Sequence, residues 1–237
     1  MPVKPTLFIV TDIETTINKR MAFDIAWRII DRKNRLYDSG SYIVPEAFQV
    51  DVPFYREKFG EYFDDIYHHR IHPASIIDVR AKYNAHIKKW RDQNHRLIGC
   101  AYNAQFDFSE LPKTLRALTG DSRARWLDAP LDLLDIWDYW GESVPKDYVR
   151  VTSPSKSGKF LLTSAESAYQ YEMRQPDFVE AHRAWHDCEI EAEILIKALK
   201  RKKKLPVKKS PLLFSGAVWH KINKRLGING DKQLAVA

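Results

Sequence analysis

Apolar and polar positions along the chain divide it into short strands at the start and helices towards the end. Leu7 to Ile13 is a short β-branched run that closes in acids, the pattern of a buried central strand. AFDIAWRIID (22–31) and RLYDSGSYIV (35–44) predict two further strands joined by a turn over Asp31 to Asn34, so three strands meander at the start. From Ala74 to Trp90, apolar residues recur every three to four positions with Lys and Arg between them, which predicts a helix. A second apolar run, Leu97 to Tyr102, leads into a helical pattern from Asp107 to Leu118. LDLLDIWDYW (131–140) reads as a strand or a strand-to-helix step, and 141–160 reads as loop. Thr163 or Ser164 can cap the next helix, with Glu166 three residues past Thr163 completing a capping box. The last helix covers Arg183 to Lys200, where Ala184, Trp185, Cys188, Ala192, Leu195, Ala198 and Leu199 make one apolar stripe, and Pro206 stops it. The pattern predicts one domain over 1–204 and a basic linker and tail over 205–237, with one short amphipathic stretch near Phe214 to Leu226.

Composition narrows the class. The 237 residues are 44% hydrophobic and 29% charged, with 9 Gly and 12 Pro, which excludes collagen-like, low-complexity and globally disordered chains. No apolar run approaches the roughly 18 residues of a membrane helix. The opening residues do not read as a secretory leader, so a cytoplasmic location is expected. Cys100 and Cys188 have no CxxC neighbour and read as buried free thiols. The net charge of +7 is concentrated: Lys197, Lys200, Arg201, Lys202, Lys203, Lys204, Lys208 and Lys209 carry eight positive charges over 197–209 with no acid. Without them, 30 basic residues face 31 acidic ones. Affinity for a polyanion is therefore expected from this segment or from bound metal.

Three places carry chemistry. Asp12 and Glu14 are separated by two along the first strand, so both project to one face at its end. Such a pair repels unless a proton or cation lies between, and hard oxygen donors suit Mg²⁺ or Mn²⁺. Asp107 opens a helix directly after an apolar run, and Asp187 adjoins the buried stripe of the last helix, where an unpaired carboxylate is costly. Other chemistries fit less well. Gly158-Lys159 lacks the upstream glycine of a phosphate-binding loop, since Ser153 stands there, and the His182/His186 pair has no evident third ligand for zinc.

In that order and at these separations, DIETT, AYNAQFD and HRAWHD resemble the three exonuclease motifs of the DnaQ-like superfamily, DEDDh subgroup, over about residues 6–200. The resemblance implies an α/β, ribonuclease H-like fold: a mixed five-stranded sheet, three antiparallel strands followed by two parallel ones, flanked by helices. It implies that Asp12, Glu14, Asp107 and Asp187 hold two Mg²⁺ (or Mn²⁺) ions, that Glu14 and His182 are catalytic, and that Thr15 and Thr16 contact the terminal nucleotide. The sister subgroup has tyrosine four residues before the last aspartate; here Arg183 stands there. His186 is the competing imidazole. The family often has histidine at the position of Tyr102 and glycine at that of Ile17, so this chain departs from the pattern twice.

The expected activity is metal-dependent 3′-to-5′ exonucleolytic hydrolysis of single-stranded nucleic acid, DNA rather than RNA, releasing nucleoside 5′-monophosphates. Lys200, Arg201, Lys202, Lys203 and Lys204 are expected to hold the nucleic acid. RNA trimming and non-catalytic nucleic-acid binding are the alternatives. Five helical residues turn about 140° beyond one full turn, so His182 and Asp187 can converge only if the helix begins after His182 or bends there.

Overall fold

A computed structural model describes residues 4–50, 52–144, 148, 162–202, 204–206 and 221, without the side chains of 52–59. In chain order the elements are β1 (Thr6–Thr15), β2 (Ala22–Ile30), β3 (Leu36–Ile43), α1 (Pro45–Gln49), α2 (Val52–Tyr67), β4 (His72–Pro73), α3 (Ile76–Asp92), β5 (Arg96–Ala101), α4 (Ala104–Thr119), β6 (Asp132–Asp135), α5 (Ile136–Gly141), α6 (Ala165–Met173) and α7 (Ala184–Arg201). The loop expected over 141–160 and the amphipathic stretch near 214–226 lie largely outside the described residues.

The strands form one mixed sheet in the order β4-β3-β2-β1-β5-β6. β1–β2 and β2–β3 pair antiparallel, β4 pairs with β3 in parallel, and β5 and β6 add in parallel on the other side of β1. This is the expected ribonuclease H-like arrangement with a sixth strand. The addition is the two-residue ladder of β4 on β3, too short for any sequence period to show.

Each face of the sheet is covered, and strand alternation sorts the side chains between them. Leu7, Ile9 and Ile13 of β1 join the core beneath α1, α3 and α4, while Phe8 and Val10 join the core beneath α5, α6 and α7. Asp12 and Glu14 continue the second set. They therefore emerge on the face that carries α7, at the end of a central strand.

β1 outruns β5: their pairing ends at Val10 with Cys100. The first turn of α4 fills the space beyond. Gly99 on β5 makes this close approach possible, because a Cβ there would lie 2.8 Å from Leu131 and Leu133 and 3.0 Å from Phe108 of α4. The helix caps follow ordinary donor satisfaction. Asn103 accepts from Phe106 N–H at 3.4 Å, Asp135 from Asp138 N–H at 2.8 Å, and Ser75 from Asp78 N–H at 3.1 Å. The capping box expected from Thr163 and Glu166 is not formed. Ser164 caps α6 by accepting from Ser167 N–H, and Glu166 accepts from the more distant Glu180 N–H at 2.8 Å.

Candidate metal centre

β1 supplies Asp12 and Glu14, the first turn of α4 supplies Asp107, and the first turn of α7 supplies Asp187. α7 begins at Ala184, so His182 precedes it, at a left-handed φ of 50°. That turn brings His182 back over the sheet end. One donor atom each from Glu14, His182 and Asp187 lies within 4.8 Å of the others, and His182 Nδ1 is 3.9 Å from Glu14 Oε1. Asp12 and Asp107 lie outside that trio, yet close enough that Asp107, Glu14 and Asp187 all raise the Asp12 carboxyl.

The group is crowded with acid. Burial, then Glu191, Asp107, Glu14 and Asp187, holds Asp12 well above the usual carboxylate range. Burial and Asp135 do the same for Asp107, against opposing hydrogen bonds from its own backbone amide and that of Ile13. Asp187 is pushed up to about 8 by burial, then by Glu180, Glu14 and Asp24. Asp12 Oδ2 and Asp187 Oδ1 are buried with no hydrogen-bond partner among the described residues. Buried, unpartnered carboxylate oxygens are destabilising unless a proton or cation satisfies them. An oxygen-rich set with one imidazole fits a hard divalent cation such as Mg²⁺ or Mn²⁺.

In the unfolded chain Asp187 returns to an ordinary carboxylate pKa of about 4. Between about 4 and 8 the folded, cation-free protein holds a proton that the unfolded chain has released, so stability falls as pH rises through this window. Thermal melts in EDTA at about pH 5 and about pH 8 should show a larger loss for the parent than for Asp187→Asn, and Mg²⁺ should remove most of that loss. Equal slopes for the two proteins would refute this account of the site.

Glu191 and Glu180 are among the acids near the group that the motifs do not include. Glu191 lies one turn beyond Asp187 on α7, is 3% exposed, and accepts from Tyr102 N–H at 3.1 Å. Burial, Asp107 and Asp187 push it well above its usual range. Its signal in the sequence is the i, i+4 spacing from Asp187. Glu180, before His182, is raised by burial and by Glu14, against the lowering influence of His182. No sequence period could reveal it.

The remaining candidates fall in different places. His186 Nδ1 is 3.8 Å from Asp187 Oδ1, but its ring packs against Phe178 and Trp185, and it is not part of the trio with Glu14. Thr15 follows a bulge at the end of the β1–β2 ladder. Thr16 is buried; its N–H donates to Met21 O at 3.0 Å, and its hydroxyl accepts from Met21 N–H at 3.2 Å. Tyr102, where the motif often has histidine, donates its hydroxyl to Thr163 O at 2.7 Å, tying the end of β5 to the start of α6. In the basic run, Lys200 and Lys204 are exposed. Arg201 pairs with Glu172, which also accepts from Trp140 Nε1, while Lys202 pairs with Glu142 and lies over the Tyr139 ring. Lys203, Lys208 and Lys209 lie outside the described residues.

The chain matches no protein-family model, and no curated protein is similar to it in sequence. Among solved structures it is similar to E. coli Exonuclease I in complex with a dA16 oligonucleotide, with a TM-score of 0.48 and 12% identity over 84% of this chain and 41% of that one. A complex of that protein with dT13 gives 0.45 and 13% identity, covering 82% and 40%; a zinc-bound ExoI–ssDNA complex gives 0.42 and 11%, covering 84% and 40%. The chain thus spans about two fifths of the length of those chains. These likenesses are distant.

Proposed function

We propose that the chain is a metal-dependent 3′-to-5′ exonuclease acting on single-stranded nucleic acid, DNA in preference to RNA. The observation that carries this reading is the convergence of acids from β1, α4 and α7 at one sheet end, with His182 beside Glu14. Asp12, Glu14, Asp107 and Asp187 would hold two Mg²⁺ or Mn²⁺ ions. When bound, such a pair activates a water and stabilises the leaving 3′-oxygen of an in-line displacement. His182, whose side chain is 65% exposed, is the group that takes the proton from that water at its imidazole. The neighbouring Glu14 carboxylate stabilises the imidazolium that results. Direction of digestion and release of 5′-monophosphates are carried by the motif resemblance.

The test is incubation of labelled single-stranded DNA, 3′-recessed duplex and RNA with Mg²⁺ or with EDTA. Stepwise shortening from the 3′ end in Mg²⁺ alone supports the reading, and DNA shortened faster than RNA supports the preference. RNA shortened faster makes the chain an RNA trimmer. Binding with no shortening of any substrate makes it a non-catalytic binder.

Attachment to nucleic acid is a separate matter, because Arg201 and Lys202 are already paired within the fold. The binding role proposed for the basic run therefore falls to Lys200, Lys203, Lys204 and the lysines beyond Pro206. Removing residues 207–237 is expected to weaken binding to single-stranded DNA and to reduce its salt slope, while hydrolysis of short oligonucleotides is retained. An unchanged salt slope would show that the tail does not hold the substrate.

A further inference from the structure

Asp24 is a carboxylate that no motif claims. It lies on β2 directly opposite Glu14 in the antiparallel register, so its side chain shares the face with Asp12 and Glu14, yet it is fully buried. Like charges at directly opposed positions destabilise a sheet, so an acid retained here needs a compensating contact. That contact is with α7: Asp24 Oδ2 accepts from Ala184 N–H at 3.1 Å. Ala184 is the first residue of α7, and its own N-cap, Arg183, makes no side-chain cap bond. β2 thus supplies the acceptor for the helix N-terminus that the local sequence omits.

The rest of β2 repeats the attachment at every second residue. Ala26 packs against Ala184 and Cys188, its small side chain letting the helix approach, and Arg28 pairs with Glu189. Arg183 is held from another side, with its guanidinium 4.2 Å over the Tyr62 ring, its Nη2 3.2 Å from Glu61 and its Nε 3.4 Å from Asp65. The start of α7 is therefore fastened between β2 and α2, immediately after the left-handed turn at His182.

We infer that Asp24 is a positioning residue: by anchoring Ala184 it fixes the first turn of α7, and with it the places where Asp187 and His182 meet Glu14. The inference rests on the proposed hydrolytic site, but the anchoring half of it can be tested without catalysis.

The experiment compares Asp24→Ala and Asp24→Asn in the full chain by amide hydrogen exchange over residues 184–187 and by steady-state hydrolysis at varied Mg²⁺. Asp24→Ala should speed exchange in that turn and lower kcat about 10- to 100-fold, the scale of a small misplacement of reacting groups, without changing KM or the Mg²⁺ requirement. Asp24→Asn keeps a side-chain oxygen that can accept from Ala184 N–H, and should rescue both the exchange protection and kcat. Unchanged exchange in Asp24→Ala would overturn the anchoring role. An Asn variant as impaired as Ala, or one needing much more Mg²⁺, would overturn it in favour of a direct role for the carboxylate. Should Asp24→Ala fail to fold, the Asn variant still decides between these outcomes. If the parent hydrolyses nothing, the proposed function fails, and the exchange measurement still judges the anchor.

Discussion

Asp187→Ala and Asp12→Ala are each expected to reduce metal-dependent hydrolysis by at least about 10³-fold, since each removes an anchor for the ions that activate the water and stabilise the leaving oxygen. The structure adds a second, less usual expectation. Both carboxylates have a buried oxygen without a partner among the described residues, and both are raised by burial and by neighbouring acids. Removing either one relieves repulsion among Glu14, Asp107 and Glu191. In EDTA at about pH 8 the variants should therefore melt no lower than the parent, and Mg²⁺ should stabilise the parent but not the variants. Loss of activity accompanied by loss of metal-free stability would point to damage to the fold. Full activity in either variant would remove that residue from the site.

His182→Ala should lower kcat by about 10²- to 10⁴-fold, the usual contribution of a positioned general base, with Mg²⁺-induced stabilisation preserved. His186→Ala should cost much less. The sequence alone leaves the two imidazoles in competition, because both lie within five residues of Asp187. The structure separates them: His182 precedes α7 and reaches Glu14, whereas His186 lies within the first turn and packs against Phe178. The opposite ranking would move the base to His186.

Much of this site could be read from one chain because β1 and α7 obey simple periods. Asp12 and Glu14 share a face by strand alternation, and Asp187 stands at the edge of an apolar stripe. The meander of the first three strands followed from their apolar runs and the turn over Asp31 to Asn34. What escaped the sequence depends on contacts between distant segments. Asp24 sits among Phe23, Ile25 and Trp27 like any strand acid, and only the seating of α7 on β2 gives it a partner. Glu180 depends on the path of an irregular segment. Glu191 was within reach, since i+4 from Asp187 falls on it, but the acids Glu189 and Glu193 beside it dilute the signal. α1 and α2 went unassigned because the stretch from Pro45 to Tyr67 mixes Gly60, many charges and scattered aromatics without a clean apolar stripe.

The alternation of β1 between two cores makes the strand behave like a reading frame. Even-numbered positions from Phe8 to Glu14 face α7, and odd-numbered ones from Leu7 to Ile13 face the opposite core. A one-residue insertion between Phe8 and Asp12 would invert the parity of everything after it, sending both acids into packed hydrocarbon and Ile13 into the site. A two-residue insertion would restore the phase. Length changes in this strand should therefore be tolerated, if at all, in pairs, and the chemistry of the molecule is encoded partly in a count.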